Sequence, residues 1–388
     1  MTPFISTDDE ALESYQVLLM LLIVWVAFYI ASQFFSFKKY GLEVTPLYVL
    51  FKTERFNKVL SQIAEKNNKV WHLFGNLGIV VASLEIPLAI YYLASNLQRF
   101  IMMPSQAEPI VPILPGITIS FGWFPYILIA VGLTITTHEM AHGILAFVEK
   151  IPVKSSGLVL APITFGGFVE PDEEVFDKSS LRSKLRVLTV GSLTNLITGL
   201  LTLLLVVSLF VPASGVLVMA IPENSPAYQA GMRSWDVIYT INDHPTQSTT
   251  DLIQFMSTIA PGTPVIVETS RGRRTITTIA STENKSRAVL VIQDLMNYFS
   301  LRVGEFNSQF SYHFYMILNW TYLLTISMAV INMLPLFPFD GEACVYSIIK
   351  AKFTKGVKVG RIIINIFSLI LLGSNVVLSL IRYGLTPL

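Results

Sequence analysis

His138 and His142 stand four residues apart with Glu139 directly after the first. In a helix that spacing puts both imidazoles on one face, about 5–6 Å apart at Cβ, where they can share one metal ion. Glu139 is then placed to take a proton from water held there. The surrounding run, residues 124–148, is apolar and long enough to cross a bilayer. Ionisable side chains at lipid depth are costly, so function explains them better than chance does. Zinc prefers four ligands, and a catalytic site takes three from the protein and leaves one position open. A single cysteine, Cys344, excludes an internal disulfide and any cysteine-based cluster. The third ligand must therefore be His, Asp or Glu, and Glu85 and Asp340 are the acids to consider.

Such a site needs a membrane scaffold, and the composition supplies one. The 388 residues are 52% hydrophobic and only 14% charged, where soluble chains average about 25% charged. A net charge of +1 gives no reason to expect a nucleic-acid partner. Six apolar runs, at residues 15–35, 73–97, 124–148, 187–211, 314–333 and 362–381, read as transmembrane helices. The first follows acids and is too long for the apolar core of a signal peptide, so it reads as a retained span. The loops after spans one, three and five hold seven, six and five basic residues, and the loop after span two holds one. The positive-inside bias puts those three loops in the cytoplasm, and residues 212–282 and the C-terminal tail outside. Asp340 follows Pro335 and Pro338 at the cytoplasmic end of span five. Broken backbone at that depth is tolerated only where it is buried in protein or lines a wet cavity. The same side holds the cytoplasmic half of the His138 helix, which favours Asp340 over Glu85 as third ligand.

Between spans three and four, residues 157–169 read as two short strands around a turn, with Pro162 and the Gly166–Gly167 pair as breakers. Beyond residue 211 the lipid-like composition stops. Strand-like runs at 215–220, 237–241, 264–270 and 275–280, a turn at Arg271–Gly272–Arg273 and a helix at 250–259 with a threonine N-cap describe a small inserted domain.

Two motifs together resemble a known family. His138-Glu-Met-Ala-His142 in a span, followed by Asn332-x-x-Pro335-x-x-Pro338-x-Asp340-Gly341, is similar to the site-2 protease family of intramembrane zinc metalloproteases. The resemblance runs from span three to Gly341. It implies one zinc per chain on His138, His142 and Asp340, with Glu139 as general base and Asn332 steadying the substrate or the developing oxyanion. Asn195 matches a further asparagine of the family within Gly191-Ser-Leu-Thr-Asn195, with Ser192 where proline is common. The family also carries a hairpin at the cytoplasmic mouth. Strand addition there would hold an extended substrate, which makes Gly166, Gly167 and Phe168 candidate substrate contacts. Residues 214–282 resemble a PDZ domain, on Ser214-Gly-Val-Leu-Val218, Ser225-Pro-Ala-x-x-Ala-Gly231 and Asp236-Val-Ile-x-x-Ile-Asn242. That implies peptide or C-terminus binding along Gly215, Val216 and Leu217.

The chain is thus expected to be an α-helical polytopic membrane protein with an inserted α+β PDZ domain. Its parts are residues 1–72, a first helix and basic loop; 73–211, the first half of the core; 212–283, the PDZ domain; 284–361, the second half; and 362–388, the last helix. The expected substrates are single-span membrane proteins already cut by another protease, and the PDZ domain screens them. Compactness, and the lack of a cysteine-rich insert, point to a prokaryotic cell membrane. Two rivals are a different-class HExxH membrane protease, which would use a downstream glutamate as ligand, and a non-catalytic PDZ scaffold. The Asn332–Gly341 motif argues against the first, and the intact Glu139 against the second.

Overall fold

Backbone polar groups at lipid depth must be paired within the segment, and a long apolar run meets that demand as a helix. The computed structural model describes residues 7–35, 37–53, 55–114, 117–161, 164–282, 284–304 and 306–384; Pro162, expected as a turn breaker, lies outside them. In chain order come α1 (Thr7–Phe34), β1 (Leu42–Val44), β2 (Val49–Thr53), α2 (Arg55–Lys66), α3 (Asn68–Met102), α4 (Phe124–Val148), β3 (Val153–Ala161), β4 (Thr164–Pro171), α5 (Glu173–Lys178) and α6 (Leu181–Leu209). Then follow β5 (Val216–Ala220), α7 (Pro226–Gln229), β6 (Val237–Ile241), α8 (Thr249–Met256), β7 (Pro264–Thr269), β8 (Gly272–Thr277), β9 (Asp294–Asn297), α9 (Ser308–Asn332), α10 (Asp340–Lys352) and α11 (Val357–Tyr383).

Among the described residues five helices, α3, α4, α6, α9 and α11, are long and apolar enough to cross a membrane. The expected first span falls in α1, whose apolar part, Leu19–Phe34, is shorter. The chain divides into two compact units, one centred on residues 202–319 and the other on 11–201 with 320–388.

In the second unit α3 shows how the helices pack. Its buried positions are Gly75, Gly78, Ala82, Glu85, Ala89, Leu93 and Asn96, a stripe at helical spacing made mostly of small residues. Small side chains let helix backbones approach closely where lipid removes the hydrophobic drive. A Cβ on Gly78 would sit 2.8 Å from Thr189 Oγ1 of α6. The opposite face exposes Leu73, Leu77, Val80, Leu84, Leu88 and Tyr91, an apolar stripe suited to hydrocarbon. The amphipathic α2 lies against α4, with Leu60 and Ala64 in the same buried cluster as Ala141, Ile144 and Leu145.

The expected hairpin is present as β3 and β4, and it belongs to a larger sheet. The order is β1-β2-β3-β4, all antiparallel. β3 is internal, and β4 is an outer strand. Gly157 pairs with Phe168, Leu158 with Gly167, and Val159 with Gly166.

The unit around residues 202–319 holds an antiparallel sheet in the order β8-β7-β6-β5-β9. Side chains of β5, β6 and β7 (Val216, Val218, Ile238, Ile241, Val265, Val267) form its core with Met232, Leu252 and Met256. The helix cap is Ser248, which accepts from the Asp251 N–H, rather than a threonine.

Candidate metal centre

Three elements bring the chemistry together. α4 carries His138, Glu139 and His142, α6 carries Gly191 and Asn195, and the segment from the end of α9 to the start of α10 carries Asn332 and Asp340. His138 Nε2 and His142 Nε2 are 3.0 Å apart. Asp340 Oδ2 lies 3.2 Å from the first and 3.3 Å from the second. Zinc–nitrogen bonds of about 2.0–2.1 Å give a tetrahedron with edges of about 3.3 Å, so the triangle has the size of one face of a zinc tetrahedron. Two imidazole lone pairs and a carboxylate aimed at one point also need positive charge between them. The residues therefore fit a zinc ion. Among the described residues these are the three His, Cys, Asp or Glu side chains whose donor atoms converge, within 4.8 Å of one another.

The histidines are oriented from behind. His142 Nδ1 lies 2.6 Å from the Val187 carbonyl oxygen. A carbonyl only accepts, so Nδ1 carries the proton and Nε2 keeps the lone pair a metal requires. His138 Nδ1 faces the Asn195 carboxamide at 3.1 Å, while Asn195 Oδ1 is buried without a partner. Turning that amide over gives Oδ1 the Nδ1–H of His138, satisfying both and freeing Nε2 in the same way. Gly191 sets the space: a Cβ there would run into His142 Nε2 and lie 2.5 Å from His138 Cε1.

Asp340 is held from the other side. A Cβ on Gly341 would collide with the Met333 carbonyl, so glycine lets the loop close on itself. Glu342, buried two residues after Asp340, accepts from Arg361 Nε at 2.5 Å and Nη2 at 2.9 Å. Asn365 Nδ2 donates to Glu342 at 3.3 Å, and Asn365 Oδ1 accepts the Phe337 N–H at 2.7 Å. α11 thus grips the loop on both sides of Asp340. The bidentate guanidinium–carboxylate geometry makes this a specific clamp.

A cavity of about 280 Å³ opens on two of the three ligand residues, His138 and Asp340, and is also lined by Glu139, Asn195, Asn332 and, from β4, Gly166 and Gly167. Asn332 Nδ2 lies 3.3 Å from His138 Nε2, so an amide donor faces the point on which the ligand atoms converge. β4 passes close over α4: a Cβ on Gly167 would sit 2.6 Å from Ile135 Cγ2 and 3.1 Å from Glu139 Cγ. An acid, an amide donor, a metal-sized triangle and an outer strand share one cavity, a constellation suited to hydrolysing an extended peptide.

Residues 126–374 match the family model described as Peptidase family M50. The chain belongs to peptidase family M50. Membership makes it a membrane metalloprotease by family. An uncharacterized protein of Methanocaldococcus jannaschii is 25% identical over 329 residues, 84% of this chain and 83% of that one. A "membrane-bound transcription factor site-2 protease homolog" of Arabidopsis thaliana is 25% identical over 152 residues, 38% of this chain and 29% of that protein's length. The PDZ domain of an SdrC-like protein from Listeria monocytogenes is similar to 21% of this chain and 88% of its own, at 21% identity and a TM-score of 0.19.

Of the residues singled out by sequence, His138, Glu139, His142, Asn195, Asn332, Asp340, Gly166 and Gly167 line or form this M50 site. Phe168 follows on β4. Glu85 does not join the ligand triangle. Gly215, Val216 and Leu217 belong to the unit around residues 202–319. β5 pairs with β6 on one side and β9 on the other, and Val216 and Leu217 are fully buried. These residues have no free edge to which a peptide strand can add; the outer strands of that sheet are β8 and β9. Sequence reasoning missed the Val187 carbonyl, the packing role of Gly191 and the Glu342–Arg361–Asn365 clamp. Gly191 carried a signal, since it lies one helical turn before Asn195.

Proposed function

We propose that this M50 chain is a zinc-dependent intramembrane endopeptidase that cuts single-span membrane proteins within their transmembrane segments. The observation that supports it most is the Nε2–Nε2–Oδ2 triangle, whose His138 and Asp340 line one cavity with Glu139 and Asn332. His138, His142 and Asp340 would hold the zinc ion, which would supply a water of lowered pKa and polarise a peptide carbonyl. Glu139 takes the water proton and hands it to the leaving amine. Asn332 donates its amide N–H to the oxygen on which negative charge develops. Val187 and Asn195 keep each imidazole in the tautomer that presents Nε2. The outer edge of β4 at Gly166–Phe168 receives the substrate as an added strand, which unwinds the helix and exposes its peptide bonds.

In this reading the substrates arrive already trimmed by another protease, and the unit around residues 202–319 acts as a PDZ screen on the extracytoplasmic side. The basic loops support an active site towards the cytoplasm. Cleavage of a single-span test substrate in detergent or vesicles tests the proposal. The wild type cuts it, and Glu139→Gln, which keeps the shape and removes the base, loses about 10²–10⁴-fold. Equal cleavage by both proteins overturns the reading.

A further inference from the structure

Glu85 is the acid that the metal triangle leaves out. It lies on α3, 6% exposed, in a span with no basic side chain paired to it among the described residues, and its Oε1 has no hydrogen-bond partner. Its Oε2 is 2.7 Å from the Ser192 hydroxyl of α6. The same hydroxyl is 2.7 Å from the Ala329 carbonyl of α9. Ser192 and Ala329 are completely buried.

Counting protons settles the direction of this chain. A hydroxyl has one proton, and a carbonyl can only accept. Ser192 therefore donates to Ala329, and a carboxyl that donates to Ser192 in turn completes the relay. Its acceptor also matters. Ala329 is among the last four residues of α9, whose carbonyls lack a partner inside the helix. The next amide, Met333 N–H, turns to Val330 at 3.3 Å, and Leu334 N–H to Ile331 at 2.9 Å. Ser192 caps the carbonyl that these leave over. Three residues further on stands Asn332, whose amide faces His138 Nε2, and from there the loop runs to Asp340. Next to Ser192 in the chain, Gly191 leaves room that a Cβ would take from both imidazoles.

We infer that Glu85 is a positioning residue: as a hydrogen-bond donor to Ser192 it fixes the C-terminal end of α9, and through it sets Asn332 and Asp340 against His138 and His142. The carboxyl touches neither substrate nor metal. It acts through a hydroxyl that α6 presents to the end of α9. The inference rests on the zinc peptidase reading for the meaning of the site, and on hydrogen-bond accounting for the relay.

Two readouts on the full-length protein in detergent test it: zinc affinity by competition with a chelator, and kcat and KM on a single-span substrate. Glu85→Gln keeps a donor and stays within about twofold of wild type in both. Glu85→Leu and Ser192→Ala each weaken zinc binding about tenfold, the lower end for groups that orient ligands, and lower kcat with KM unchanged. The double variant is no worse than either single one, because both cut one relay. Loss in Glu85→Gln equal to that in Glu85→Leu overturns the inference, as do singles that multiply in the double or singles indistinguishable from wild type. Should Glu85→Leu fail to fold, the near-isosteric Glu85→Gln and Ser192→Ala still decide, since the relay requires the first to be silent and the second not. A wild type that binds zinc and cuts nothing refutes the peptidase reading, while the zinc series continues to judge the relay.

Discussion

The two compact units differ in how much of their interior is polar. Around residues 202–319 the interior is aliphatic: Val216, Val218, Ile238, Ile241, Val265 and Val267 are essentially inaccessible. In the unit that holds the metal centre, the completely buried positions include Ser192, Asn195, Asn96, Asn375 and Ser379. Asn96 and Asn375 join α3 to α11 at 3.0 Å, and Ser379 holds the Ile110 N–H at 2.9 Å. Removing apolar surface from water drives the first kind of packing. Lipid offers no such reward between helices, so close backbones and interhelical hydrogen bonds take its place. Polar side chains that tie helices together are also the raw material of a catalytic site. The two interiors should therefore fail differently when altered.

The largest effect is expected in the aliphatic interior. Ile238→Ala should cost about 2–5 kcal/mol by lost transfer and cavity formation, read as early unfolding of that unit in denaturant. Zinc stoichiometry of the whole chain should be unchanged. Loss of zinc at the same time would mean that the two units are not separable in this way. A smaller and opposite effect is expected at Gly191. Gly191→Ala improves local helix propensity, yet its methyl group presses on both imidazoles. Zinc affinity should fall by about tenfold or more, as for other disruptions behind the ligands, with little change in the unfolding of residues 202–319. Unaltered zinc binding in Gly191→Ala would show that the histidines have room the packing denies them.

What the sequence revealed follows the range over which each feature is encoded. His138 and His142 were legible because helical spacing alone puts them on one face, and Glu139 because it stands directly beside the first of them. Asp340 was legible through the two prolines that break the helix before it, and Asn332 through the resemblance of its motif to the site-2 protease family. β6 was read to the residue, because Val237–Ile241 is a short run of β-branched and aromatic residues. β1 and β2 were not foreseen: they are short and carry Glu43 and Lys52, and they form by pairing β2 with β3 and β1 with β2. The burial of Gly215–Leu217 between two strands was hidden for the same reason, since β9 lies some eighty residues further on and has no strong pattern. The Val187 carbonyl has no side-chain signature at all. Glu342 and Arg361 are ordinary charges until α10 and α11 bring them together.

The central claim is that His138, His142 and Asp340 hold one zinc ion. Equilibrium dialysis of the purified chain, with metal counted per chain, tests it directly. The wild type should bind one zinc tightly, and Asp340→Ala should lose that ion or hold it at least 100-fold more weakly. One tightly bound zinc per chain in Asp340→Ala would contradict the account.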